Sequence, residues 1–430
     1  MNNASVHLGN MHAALEKERD QFSVRRIPLE LSDQWSLTSG ALTHSSGGFF
    51  NIVGARLRGQ ADRIFIYQPQ AAITGLITSR QSNERFFLIQ ARAEPGNPGG
   101  IQFGPTVQST AANYLGLHDG GPTPYIDKFL RHDPRIRVLA DSTQTDLGER
   151  YLYKTKRAIV IELDEMDEPA SSFLWVSGRV ISKAVSLGLF LNPDLRTLLA
   201  LSPWSISPED GELYPSSSAA RKSLAAPLRA RRLGAVMTQA HPDQPPVQFQ
   251  SIQTLKGWSI GQFGIDEIEP GQGISVGMYE TTVRHREVKN WSQPLIEANS
   301  PGHAVMICRH SAAGIEVFTS FAAETGFGDS VGLGPSYWRY PGAPTASPAW
   351  FEEESIRFVR EVEESDEGGR FYKNIWLYQF GLLEGRRKIN LKNKGVWLRL
   401  SELKSLLLTS NICTIQLRAM YSHLLTAPLD

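Results

Sequence analysis

The chain has 430 residues, 41% of them hydrophobic and 20% charged, which is a globular composition and not a disordered one. Its 44 basic and 44 acidic residues cancel, so there is no electrostatic footprint for a nucleic acid or an anionic membrane, and ligand recognition has to be local. No stretch approaches the roughly 18 apolar residues of a membrane span, and the N-terminus shows no basic segment followed by an apolar one. The two cysteines, Cys308 and Cys413, belong to no CxxC spacing. That argues against a disulfide framework or a zinc site and for a reducing compartment, the cytoplasm by default.

In chain order, residues 1–27 read as a polar leader with a short amphipathic helix around 11–22. The runs 64–67, 72–78, 86–90, 138–140 and 158–163 are rich in β-branched and aromatic residues and bounded by Gly, Pro or Asn, so strands are expected there. Apolar residues at helical spacing, with Trp175, Val176, Val180, Ile181 and Val185 on one side, predict a helix over 173–191, and a similar pattern predicts one over 396–408. Between 205 and 250 the composition shifts to Ser, Pro, Ala and Arg, the signature of a linker that is in part helical.

The most informative feature is a duplication. Glu94-Pro95-Gly96 followed by Pro105-Thr106-Val107-Gln108 recurs as Glu324-Thr325-Gly326 followed by Pro335-Ser336-Tyr337-Trp338 at the same interval. Upstream, Gln68-Pro69 faces Gln293-Pro294. Downstream, Asp146-x-Gly148-x-Arg150 recurs as Asp366-x-Gly368-x-Arg370, and Trp175 and Arg196 recur as Trp397 and Arg418. A repeat this long means two whole domains, 28–204 and 251–430, each with its own globular core and each a mixed sheet with a few covering helices: α+β, twice.

On the strand ending at Glu94, the alternation of period two puts Gln90, Arg92 and Glu94 on one face. Either this is a solvated face carrying an Arg92–Glu94 pair, or it is a pocket wall beside the Pro95-Gly96 and Gly99-Gly100 turns, whose bare backbone can approach a ligand.

The strings His44-Ser45-Ser46-Gly47-Gly48-Phe49-Phe50, Gln68-Pro69, Gln90-Ala91-Arg92-Ala93-Glu94-Pro95-Gly96-Asn97 and Pro105-Thr106-Val107-Gln108-Ser109-Thr110 closely resemble the NDP-hexose 2,3-dehydratases of deoxysugar biosynthesis. The resemblance covers nearly the whole chain, including the duplication. It implies a tandem pair of Nudix-like α/β/α domains, a homodimer, and a nucleotide-linked 4-keto-6-deoxyhexose as substrate, most often the dTDP sugar. It also implies loss of the C2 hydroxyl as water, leaving a 3,4-diketo-2,6-dideoxy sugar for a partner 3-ketoreductase. The elimination itself requires no redox cofactor, and the sequence shows no metal-ligand cluster, so no cofactor and no metal are expected.

The chemistry needs a base for the C3 proton, which is α to the C4 ketone, a hydrogen-bond donor for the enolate oxygen, an acid for the C2 hydroxyl and a diphosphate clamp. Glu94 is the first candidate for the base and His44 the second. Thr106 and Gln108 are candidate enolate donors, Tyr114 a candidate acid, and Arg92 suits the diphosphate through its bidentate fork. Gln68, Gln90, Asn97 and Gln102 complete the candidate substrate-binding set.

Two further readings stay in view. Arg360-Glu361-Val362-Glu363-Glu364 looks like part of a metal-binding Nudix box, pointing to a Mg²⁺-dependent nucleotide-sugar hydrolase, although Ser365 stands where a second adjacent glutamate is needed. A non-catalytic nucleotide-sugar binder is the third. The second copy has Ser320, Ala322, Ser336 and Trp338 where the first has Gln90, Arg92, Thr106 and Gln108, so its pocket is expected to bind weakly or not at all.

Overall fold

The computed structural model describes the chain except for residues 1–7, 21, 118–119, 132, 238–245, 270, 284–285, 329, 345–355 and 385–393. Parts of the expected leader and linker therefore lie outside the described residues.

Each copy contains a seven-stranded mixed sheet. The first has the order Arg137–Thr145, Thr155–Leu163, Ala72–Gln81, Glu84–Ala93, Phe173–Ser177, with Ile101–Gly104 paired to Glu84–Ala93 and Val107–Ser109 to Ala72–Gln81. The second repeats it with Ile356–Ser365, Ile375–Leu383, Gly302–Ser311, Gly314–Ala322 and Gly395–Arg399. In both, the pair next to the outer strand is parallel, and the outer strand is irregular at the same place, between Val138 and Ala140 and between Phe358 and Arg360. Identical topology down to a bulge is what a duplication leaves behind.

The helices expected over 173–191 and 396–408 are in each case a strand followed by a short helix: Phe173–Ser177 then Gly178–Ala184, and Gly395–Arg399 then Leu400–Leu407. A five-residue apolar run cannot distinguish the two periods, and Phe-Leu-Trp-Val is a strand composition that finds its partner in 86–90. The expected strands at 64–67, 72–78, 86–90, 138–140 and 158–163 are present and extend further.

The two copies interlock. Ser23–Arg26, ahead of the first copy, adds a strand to Ile274–Thr282 of the second, and Gln248–Gln250, ahead of the second, adds one to Asn51–Arg56 of the first. The helices Pro193–Leu201 and Ile415–Leu425 are buried along their whole length and pack on each other. Asn192 and Thr414 cap them, each side chain accepting the third N–H, a contact worth about 1 kcal/mol. Between them the buried Glu364 joins Arg196, at 2.5 Å, to His423, so this glutamate of the box-like segment lies on a strand and is engaged by an ion pair. The principal apolar core runs through both copies, from Met11 and Phe87 to Phe380 and Leu425, with smaller clusters of their own around Ile73 and Phe129 in the first copy and Val305 and Phe318 in the second. The helix Leu8–Arg19 joins it by burying Met11 and Leu15, one turn apart, against Glu84–Ala93 and Ile101–Gly104.

Gly96 shows why its position tolerates no side chain. Its N–H donates to Gly368 O at 2.7 Å, and a Cβ there would overlap Phe371 O. Gly326 stands in the same relation to Gly148 O and Tyr151 O. The bare backbone after each glutamate is approached by the other copy.

Candidate active site

A cavity of about 410 Å³ opens on the Gln90–Arg92–Glu94 face of the first sheet. The small sheet of the first copy supplies Trp35, His44, Phe50 and Gln68, and the second copy supplies Arg286, Glu287, Trp291, Glu367 and Arg370. The site is therefore built by both copies.

Gln90, Arg92 and Glu94 are 7%, 5% and 2% exposed, which removes the solvated-face reading. Arg92 donates through Nε to Glu94 Oε1 at 2.8 Å, through Nη1 to Gln90 Oε1 at 3.2 Å and through Nη2 to Gln108 O at 3.1 Å. Three of its five N–H donors are thus taken from within the protein, so Arg92 fixes Glu94 while still lining the cavity where it was expected to clamp a diphosphate. Gln108 Nε2 donates to the same Glu94 oxygen at 3.1 Å while its own Oε1 accepts from Asn192 Nδ2 at 2.8 Å. Arg286 Nη1 lies 4.0 Å from Glu94 Oε1. The three contacts made to Glu94 all converge on Oε1. The other oxygen, Oε2, is buried without a protein hydrogen-bond partner, so it has accepting capacity for a group entering the cavity.

A second polar cluster lines the same cavity. Lys156 is ion-paired with Asp146, Asp194 and Glu367 at 3.1, 2.9 and 2.8 Å. Burial pushes Asp194 up to about 6 even against Lys156, whereas Lys156 and Arg370 overcome burial at Glu367 and hold it low. Arg370 lies over the Phe50 ring at 4.0 Å and reaches Gln68 Oε1 at 3.4 Å, and its Nε has no partner. His44 accepts the Ser46 N–H on Nδ1 at 3.1 Å, and burial lowers its pKa, so the neutral ring carries its proton on Nε2.

Of the expected site residues, the cavity brings together Glu94, Arg92, Gln108, His44 and Gln68. Gln90 stands behind Arg92 and is not in the wall. Thr106 cannot serve an enolate: its hydroxyl donates to Leu88 O at 2.5 Å and accepts from Ile77 N at 2.9 Å, stitching two strands, as Ser336 does in the second copy. Gln102 bridges Leu189 O and Ser365 Oγ, and Asn97 is buried against Gly368 where the copies cross. Tyr114 packs with the apolar cluster around Ile73 and Phe129, although its neighbours Thr110 and Asn113 line the cavity. Lys154, Lys156, Asp194, Arg286, Glu287, Trp291, Glu367 and Arg370 were not foreseen. A signal existed for two of them, since Glu367 and Arg370 belong to the recurring Asp-x-Gly-x-Arg string.

The corresponding region of the second copy differs. Trp338 Nε1 takes the place of Gln108 on Glu324 Oε1 at 3.1 Å, and Oε2 accepts from Tyr340 Oη and Gly148 N, both at 2.9 Å. Burial, reinforced by Glu149, raises Glu324 to about 8.

The model of the NDP-hexose 2,3-dehydratase family matches residues 10–201 and again 237–424. Three proteins named dTDP-4-dehydro-6-deoxy-α-D-glucopyranose 2,3-dehydratase are similar over most of their length. The one from Streptomyces violaceoruber is 27% identical across 95% of this chain and 94% of its own. That from Saccharopolyspora spinosa is 25% identical across 94% and 88%, and that from Amycolatopsis orientalis 27% across 83% and 77%. With the family model matching once in each copy, the chain belongs to the NDP-hexose 2,3-dehydratase family.

Proposed function

We propose that the chain dehydrates a dTDP-linked 4-keto-6-deoxyglucose between C2 and C3, as the names of its relatives describe for them. The observation that carries the reading to particular atoms is Glu94: a buried carboxylate in the cavity wall, fixed through one oxygen by Arg92 and Gln108, with the other oxygen unpartnered. Such a group, presented without reorganisation, suits removal of the C3 proton. Breaking the C3–H bond gives an enolate toward C4, which expels the C2 hydroxyl as water; the resulting C2–C3 enol becomes the 3,4-diketone by taking a proton at C2 and losing one from O3. Arg370, with a free Nε, and Arg286 are the diphosphate-binding cations in place of Arg92. Trp291 and Trp35 offer apolar faces for the thymine ring.

We further infer a Nudix-like α/β/α arrangement in each copy and a homodimer, both of which rest on the family resemblance. The diketone would pass to a 3-ketoreductase. Cytoplasmic action fits the two buried free thiols, and no helix among the described residues is long and apolar enough to cross a membrane.

The test is incubation of the protein with dTDP-4-keto-6-deoxyglucose, a 3-ketoreductase and its nicotinamide cofactor, with products read by mass. A dTDP-2,6-dideoxy-4-ketosugar is expected. Release of dTMP dependent on Mg²⁺ would instead support a hydrolase, and unchanged substrate a binder.

A further inference from the structure

Resting on the dehydratase reading, we propose that Lys154 is the acid of the elimination, its ammonium group giving a proton to the C2 hydroxyl as the C2–O bond breaks. Lys154 lines the cavity with Glu94 and is 5% exposed. Its Nζ donates to Gln70 O at 3.1 Å and makes no ion pair among the described residues. Lys156, two residues on, is its opposite, being fixed by three carboxylates. A buried ammonium with one carbonyl partner and two donor positions remaining is costly to keep unless it meets a ligand.

The second copy supplies the control. Asn374 stands where Lys154 stands, each following a residue of positive φ, Lys373 and Tyr153, and each giving its carbonyl to the N–H of the repeated aspartate, Asp366 or Asp146. Asn374 is engaged with Ala298 N and Asp366, and Trp376, in the place of Lys156, donates to Asp366 Oδ1 at 2.7 Å. The copy that lacks the Arg92 and Gln108 side chains around its glutamate also lacks both lysines.

Other proton carriers in the cavity fit less well. Burial raises Tyr151 well above its ordinary value, the carboxylates of Asp146, Asp194 and Glu367 outweigh burial and hold Lys156 well above its own, and Asp194 is engaged by Lys156. For Lys154, burial and then Arg370 lower the pKa to about 7, with Lys156 acting in the same sense and Asp146 and Glu367 in the opposite one. An acid in that range is near its best at neutral pH. The balance closes: Glu94 receives the C3 proton, Lys154 supplies the proton that leaves in water, and exchange with solvent resets both.

The experiment uses Lys154→Met and Lys154→Asn, the latter being the residue that the second copy carries, with dTDP-4-keto-6-deoxyglucose in deuterated water. Product formation should fall by about 10²-fold or more. Recovered substrate should nonetheless gain deuterium at C3, because the enolate still forms and returns. Stabilisation by dTDP against heating should persist. Normal turnover in either variant overturns the assignment. So does parallel loss of elimination and exchange, or loss of the dTDP effect, since each would place Lys154 in enolate formation or in building the site. Wild-type protein that neither eliminates water nor exchanges C3 would sink the dehydratase reading itself, a separate result.

Discussion

Glu94 and Glu324 correspond in the duplication and follow equivalent strands of the two seven-stranded sheets, yet their surroundings differ. Around Glu94 the donors crowd one oxygen and leave the other bare; around Glu324, Trp338 takes one oxygen while Tyr340 and Gly148 take the other. The first arrangement holds a carboxylate ready for an outside partner, and the second satisfies it from within. The same divergence runs through the neighbouring lysines, kept in one copy and replaced by Asn374 and Trp376 in the other. The second copy nonetheless lines part of the first copy's cavity, through Glu367 and Arg370, and through Arg286 and Trp291.

The largest effect should come from Lys156→Met. It leaves Asp146, Asp194 and Glu367 buried without their common cation, and uncompensated buried charge of this kind costs roughly 3–5 kcal/mol. Chemical denaturation would read it, and a loss under about 1 kcal/mol would mean the cluster is far better hydrated than its burial indicates. Arg92→Met is expected to lower kcat on the order of 10²-fold by freeing Glu94, with dTDP affinity little changed. A weakened affinity at unchanged kcat would restore Arg92 as a clamp.

Arg370→Ala should weaken dTDP binding by roughly 10- to 100-fold, the worth of a charge-assisted contact, in a calorimetric titration. Undiminished binding would detach the second copy from the nucleotide. Smallest is a pH effect. Glu324 is raised from 4.5 to about 8 in the folded chain, so between those values the folded state holds a proton that the unfolded state has released. Stability due to this group therefore declines as pH rises through that window. Glu324→Gln removes the dependence, and its melting temperature relative to wild type should climb from pH 5 to pH 8; a constant difference would contradict the assignment.

Much of this could be read from the sequence, and the rest has physical reasons for being hidden. Repeat spacing gave the duplication because each copy keeps its strands, and period-two alternation put Gln90, Arg92 and Glu94 on one face because a strand allows nothing else. Thr106 was misjudged because a hydroxyl that stitches two strands looks, in a string of letters, like one that faces a ligand. Arg92 was assigned to phosphate alone because the sequence does not show that Glu94, Gln90 and Gln108 take three of its donors. Arg286 and Arg370 were missed for a different reason. Intervals between repeats say which residues correspond, but not that the copies cross at Gly96 and Gly326 and that the second lends side chains to the first copy's cavity.

The central claim is that the first cavity performs the chemistry and the second does not. It is tested most directly by assaying Glu94→Gln and Glu324→Gln side by side for dehydration of dTDP-4-keto-6-deoxyglucose. The account predicts that kcat/KM of Glu94→Gln is lower by about 10²-fold or more, the worth of a general base, while Glu324→Gln stays near wild type. Equal losses in the two variants, or a fully active Glu94→Gln, would contradict it.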